Sequence, residues 1–216
     1  MATLLHIDTF LNGEHSHSRA ATAAFRRTWE SEHPGGKVIY RDLDTDPVPH
    51  LQAGAYYAGF VDPAAQSPAE RAAFALRARP IEEAEAADVI LLGAPMYNYA
   101  IPSSLKAWID HAFAVGRTAH TEQRTLAGKR AVVVTSRGGS YREGTPQHGN
   151  DHVQNYLGLA LGEGLGMEVD FIVPELTMAP AVPEMAELIP LFERSREEAL
   201  ATAERQAKDL AMRLAA

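Results

Sequence analysis

The chain has 216 residues, enough for one compact domain with a full core, and 46% of them are hydrophobic, as in an ordinary globular protein. A formal net charge of −8 argues against a broad nucleic-acid footprint. The chain contains no cysteine, which excludes disulfides, thiolate nucleophiles, CxxC redox pairs and Cys-based metal centres together.

No apolar run approaches the roughly 20 residues of a membrane helix. The start, MATLLHIDTF, lacks the basic region and long apolar stretch of a signal peptide. A cytoplasmic location is therefore the default expectation, and any redox chemistry must be carried by a bound cofactor.

Apolar runs of strand length alternate with longer helix-period segments. Residues 3–7 (TLLHI) form the first strand, and residues 18–33 read as a helix with Phe25 and Trp29 at i, i+4. His33-Pro34-Gly35-Gly36 ends it. Residues 37–41 (KVIYR) alternate as a half-buried strand, and residues 42–66 read as long and irregular. Ser67-Pro68-Ala69-Glu70 is a capping box with proline at the first helical position. Pro80 is expected to kink or split the helix that follows, before it finishes near Ala87.

Residues 88–92 (DVILL) form a fully apolar strand, and residues 103–116 a helix capped by Ser103 or Ser104. Residues 130–135 (RAVVVT) are a second buried strand. Residues 150–166 read as a helix closed by a glycine, residues 168–173 (EVDFIV) as the last strand, and residues 190–214 as a terminal helix. No internal repeat or linker divides the chain, so residues 1–216 are expected to form a single domain.

Five strands alternating with five helices predict an α/β fold. Parallel crossovers need helices, and both faces of the sheet must be covered. Open sheets of this kind bind ligands at the carboxyl ends of their strands, at the topological switch point. The loops after the first, third and fourth strands, residues 8–17, 93–102 and 136–150, therefore matter most.

In the first loop, Ser16-His17-Ser18 sits where a helix begins. Unpaired N–H groups and the positive end of the helix dipole can hold a phosphate there without lysine or arginine. The competing interpretation is that Ser18 only caps the helix while Ser16 is solvated. Neither a GxGxxG nor a Walker motif is present.

The second loop, GAPMYNYAIP, offers the flat faces of Tyr97 and Tyr99, and an Asn98 amide that can address a ring edge. Pro95 and Pro102 stiffen its ends. These aromatics could equally pack on their own protein, and Met96, a common gap-filler, favours that. The third loop, Ser136-Arg137-Gly138-Gly139, allows close backbone approach to a ligand or makes a plain turn. Together the loops suit a flat heteroaromatic ring with a phosphate tail, a description that FMN meets.

Three segments carry a family resemblance. APMYNY at 94–99 with IPSSLK at 101–106, TSRGG at 135–139 and SHS at 16–18 occur in the order and spacing of the FMN-dependent NADH-azoreductases and NAD(P)H:quinone oxidoreductases, of the flavodoxin-like superfamily. Arg41-Asp42-Leu43 is similar too, and the likeness spans nearly the whole chain. The resemblance implies a flavodoxin-like three-layer sandwich, with a five-stranded parallel sheet and helices on both faces. It also implies a homodimer with one FMN per subunit. NADH or NADPH would be oxidised, and two electrons passed to quinones or azo compounds in a ping-pong cycle.

By the same resemblance, Ser16, His17 and Ser18 hold the phosphate. Pro95, Met96, Tyr97, Asn98 and Tyr99 border the ring and ribityl chain, and Ser136, Arg137, Gly138 and Gly139 contact the ring's other edge. Phe10 stands where the family usually has a serine, with Thr9 as the neighbouring hydroxyl that could replace it. The segment 118–128 is shorter than in many relatives, which bears on the acceptor pocket. No side chain is assigned as an obligatory acid or base, because tyrosines with a pKa near 10 are poor bases at neutral pH.

Two other functions compete. One is a non-enzymatic flavin-binding electron carrier or sensor. The other is a metal-dependent hydrolase using His15, His17, His148 and His152, but no HExxH spacing is present and no metal is expected. His6 is expected to pack in the core, and His111 to face the core or a partner subunit. Glu82-Glu83-Ala84-Glu85 reads as a solvated helix face, and the charges of residues 193–213 as exposed i, i+4 pairs. Tyr56, Tyr57 and Phe60 suit either a dimer contact or packing on the monomer.

Overall fold

The computed structural model describes every residue except Asn12, Pro63 and Ala216. Five strands form one sheet in the order β2-β1-β3-β4-β5: β1 (Thr3–Asp8), β2 (Lys37–Asp42), β3 (Val89–Gly93), β4 (Arg130–Val134) and β5 (Glu168–Ile172). Every pairing is parallel. The order reverses direction between β1 and β3, and that is where a crevice opens in such sheets.

Side chains alternate across the sheet with the strand period of two. Leu4, Val89, Leu91, Val132 and Val134 pack with Phe25 and Trp29 of α1 (His17–Glu32) and Ala203 and Ala207 of α6 (Ile189–Ala215). Leu5, Ile7, Ile90, Leu92, Ala131 and Val133 face the opposite layer. That layer holds α3 (Pro68–Ala86), α4 (Ser103–Ala112) and α5 (His152–Leu157). Each such aliphatic side chain, fully buried, contributes about 1.5–3 kcal/mol. A sheet apolar on both faces forces the three-layer sandwich.

The structure departs from the expectations in several places. The helix α3 runs through Pro80 without a break, starting from the Ser67–Glu70 capping box. Pro80 is itself buried, so its ring is used as core. Residues 42–66 are not wholly irregular: Ala53–Ala58 forms a short α2. Neither Ser103 nor Ser104 caps α4; Pro102 occupies the cap position and no side-chain bond is made there. That helix ends at Ala112, because Thr118 replaces its continuation: its hydroxyl donates to Ala112 O at 2.6 Å and accepts from Ala114 N–H at 2.7 Å.

The segment after α5 widens into a π-helical stretch over Gly158–Gly164. Glu83 and Glu85 are not a solvated face. Glu83 pairs with Arg41 and Arg79, and Glu85 pairs with Arg117 at 2.5 Å while accepting from Thr125. Among the described residues, the charges of α6 form no ion pair within 4.0 Å. Among the described residues, no helix is long and apolar enough to cross a membrane.

Candidate functional site

Three loops meet above the β1–β3 crevice. Ser16 is the N-cap of α1 and accepts from Arg19 N–H at 3.4 Å. The cap is therefore Ser16, and Ser18 lies inside the first turn. Both serines are buried, with their hydroxyls 3.1 Å apart. The hydroxyl of Ser136, from the third loop, donates to that of Ser18 at 3.3 Å. Helix α1 packs across β3 and β4, which brings its first turn to the end of β4.

Among the described residues, this cluster contains donors and no carboxylate. Among the described residues, the N–H groups of His17 and Ser18 donate to no protein acceptor. His17 itself is held below its ordinary value by burial and by nearby Arg196. At neutral pH the first turn thus offers uncharged donors and a helix dipole, the arrangement that binds phosphate.

The second loop is a tight hairpin. Tyr97 and Ala100 exchange two backbone hydrogen bonds of 3.0 Å, and the two residues between them have positive φ, 49° at Asn98 and 68° at Tyr99. Positive φ at both central positions is the signature of a type I′ turn, which glycine usually supplies. Two non-glycine residues held there store strain, and such strain clusters at ligand sites. The turn exposes Asn98 and Tyr99. The hydroxyl of Tyr97 accepts from Leu11 N–H at 3.0 Å, tying this loop to the first. Met96 donates its N–H to Ser136 O at 2.8 Å, and its side chain packs on the core, in its gap-filling role. Pro95 is buried beneath the turn.

The third loop is pinned from behind. The guanidinium of Arg137 is 3% exposed. It pairs with Asp151 at 2.9 Å, donates to Gln154 at 2.6 Å and lies 3.9 Å from Glu175. Its own N–H and C=O are bonded to Pro174 and Thr177. Arg137 therefore anchors the loop through Nη1, Nη2 and its backbone, while its Nε has no partner among the described residues. The carbonyls of Gly138 and Gly139 accept from Met178 and Leu176, whereas their N–H groups donate to nothing among the described residues. Those two N–H groups are the donors the loop can present.

Phe10 is buried, with its ring against Gly93; a Cβ on Gly93 would sit 2.6 Å from it. Thr9 does not supply the missing hydroxyl, since it donates to Gly93 O at 2.5 Å. Ser136 brings a third hydroxyl to the cluster. The residue was expected at the ring edge, and the path of α1 over β4 sets it beside Ser18. Tyr141 was not among the expected contacts. It lies 5.3 Å from the Arg137 guanidinium, and burial with neighbouring Tyr99 raises its pKa.

His6 is buried in the core, its Nε2 2.8 Å from Asp8. Asp8 also accepts from Thr22 and from Tyr40. Burial first, then Asp8, pushes the Tyr40 phenol up to about 12. His111 faces inward and shares a 2.8 Å hydrogen bond with Pro49 O.

A doubly covered parallel sheet with its order reversing at β1–β3, and a donor-lined helix terminus at that point, defines the flavodoxin-like class. Residues 2–186 match the family model described as the flavodoxin-like fold, and the chain belongs to that family. It is 57% identical to a Streptomyces coelicolor protein named FMN-dependent NADH:quinone oxidoreductase, over 100% of this chain and 98% of that one. A Streptomyces avermitilis protein of the same name is 54% identical, with 100% of both chains covered. Among solved structures, an azoreductase from Bacillus anthracis superposes with a TM-score of 0.81 at 21% identity, covering 97% of this chain and 100% of that one. This last likeness is one of fold.

Proposed function

We propose that this chain is an FMN-dependent NAD(P)H oxidoreductase that passes two electrons to quinones or azo compounds in a ping-pong cycle. It acts as a homodimer with one FMN per subunit. The observation that carries the proposal is the Ser16–Ser18–Ser136 cluster, buried hydroxyls at a helix N-terminus whose His17 and Ser18 N–H groups are unpaired among the described residues. A terminal phosphate fits that donor set. The names of the relatives at 57% and 54% identity support the same assignment.

FMN, when bound, supplies two-electron chemistry that no side chain of this cysteine-free protein offers. Ser16, Ser18, Ser136 and the first-turn N–H groups hold the phosphate. The strained Tyr97–Ala100 turn sets Asn98 and Tyr99 at the edge of the site. Gly138 and Gly139, in the loop that Arg137 anchors, would offer their N–H groups, unpaired among the described residues, as donors to an anionic ring edge. Phe10 closes the floor over Gly93. Catalysis by the protein is then alignment and charge stabilisation. One face of the site serves donor and acceptor in turn.

The test is direct. Purified protein titrated with FMN should quench the flavin's fluorescence with a stoichiometry of one per chain. Anaerobic NADH should bleach the loaded protein, and a quinone should restore its colour. Protein that takes up no FMN would overturn the proposal.

A further inference from the structure

The α2–α3–α4 layer buries positive charge that it does not neutralise. Arg77, from the middle of α3, is 2% exposed. Its Nη2 donates to Phe113 O at 2.9 Å, its Nε has no partner, and no carboxylate lies within 4.0 Å among the described residues. His111, also buried, stands on the same side, with its Nδ1 unpaired. The charge of Arg77 helps to hold His111 below its ordinary value, after burial itself. Arg117 is close by, but its guanidinium is committed to Glu85.

A cavity of about 290 Å³ opens onto this guanidinium, lined by Phe60, Val61, Phe74, Val115 and Arg77. That is the lower end of the range for small-molecule sites, roughly 300 Å³. Gly59 forms part of its wall, and a Cβ there would lie 2.8 Å from Arg77 Nη1. The backbone of residue 59 can close over the arginine only because it lacks a side chain. The mouth is aromatic: Tyr56 and Phe60 meet edge to face at 5.2 Å and both are exposed.

An isolated buried cation costs several kcal/mol unless an anion or a hydrogen-bond set compensates it. The chain carries a net charge of −8, yet among the described residues no carboxylate lies within 4.0 Å of Arg77, so a counter-charge there has to come from outside the chain. We propose that this cavity binds a small organic oxyanion, a carboxylate on a flat apolar body, with its head at the cavity-facing edge of the Arg77 guanidinium and its body between Phe60, Phe74 and Val115. The proposal is independent of the flavin assignment, since none of these residues belongs to the three loops.

The probes are benzoate and inorganic phosphate, titrated at constant ionic strength against a chloride reference. Tm and heats of binding are followed. On protein saturated with FMN, which fills the phosphate cradle, benzoate is expected to raise Tm saturably, with phosphate weaker because it lacks the apolar body. R77M removes the charge at similar volume. It should bind benzoate at least about tenfold more weakly, the loss of a charge-assisted contact. In chloride alone it should melt no lower than the wild type. V115E, which offers the protein's own carboxylate at the mouth, should also lose the response and covers the case in which R77M fails to fold. S18A, altered at the phosphate cradle, should respond to benzoate like the wild type. No saturable response in the wild type, or an equal response in R77M, overturns the proposal.

Discussion

The hydroxyl of Ser136 donates to the hydroxyl of Ser18 across 3.3 Å, linking two residues 118 apart in the sequence. This contact ties the end of β4 to the first turn of α1, and it makes the cradle a product of the sheet order rather than of one loop. S18A and S136A should each weaken FMN binding by about 1.5–3 kcal/mol, the range for hydrogen bonds to a charged group. The double variant should lose less than the sum, because the two hydroxyls touch. Riboflavin, which lacks the phosphate, should bind all three variants alike in a fluorescence titration. Equal losses for riboflavin would show that the cluster does not hold the phosphate.

The hairpin predicts a trade between stability and binding. Tyr99 has φ of 68°, and an L-residue in that region costs about 1–2 kcal/mol that glycine does not bear. Y99G should therefore melt no lower than the parent and gain up to about 1 kcal/mol in denaturant unfolding. Its affinity for FMN should fall, since the exposed aromatic face is gone. A variant that is both less stable and unchanged in affinity would place Tyr99 in the packing of the loop.

The anchor beneath the third loop is a stability element. Asp151 accepts from Val153 and Gln154 N–H at 3.0 Å each, capping α5, and pairs with the buried Arg137. D151A removes the cap and the nearer of the arginine's two carboxylates, leaving Glu175 at 3.9 Å. The expected loss is about 3–5 kcal/mol, measured by urea denaturation. D151N keeps an acceptor for the cap and should lose distinctly less. Similar losses in the two would mean that the ion pair contributes little.

Stability should also fall in mild acid. His17 and His111 both have folded values below the ordinary 6.5, with burial the first cause in each. Below that value the unfolded chain takes up protons that the fold resists, so unfolding is favoured as pH drops from about 6.5 towards the folded values. Above pH 7 both states are neutral and the effect vanishes. H111Q should flatten this slope in Tm measured from pH 7.5 to 5, because the group that resists protonation is gone. An unchanged slope would exclude His111 as a source.

How far the sequence carried depends on which interactions are local. The strands were legible because apolar runs such as DVILL and RAVVV must be buried on both faces, and the three loops because they follow such strands. The cap at Ser16 was misplaced by two residues, since serines at 16 and 18 suit a helix start equally well. The anchoring of Arg137 was not legible. Its partners Asp151, Gln154 and Glu175 meet it only after β4, α5 and the chain beyond β5 have packed. The hairpin at Asn98-Tyr99 was hidden for a related reason: no glycine announces the positive φ, which the surrounding loops impose.

Pro80 offers the sharpest contrast between local rule and packed outcome. Within a helix interior proline lacks a donor N–H and crowds the carbonyl four residues earlier, a cost of about 3 kcal/mol. The chain nevertheless runs helical from Pro68 to Ala86 with the ring buried. Burial of the ring offsets part of that cost. P80A restores the donor and removes the crowding, while giving up part of a small apolar contact worth about 0.8 kcal/mol per methylene. The helix term is larger, so P80A should stabilise the protein by about 1–2 kcal/mol in urea denaturation, with an unchanged m-value. A loss of stability would mean instead that the ring's fit in the layer outweighs the helix it interrupts.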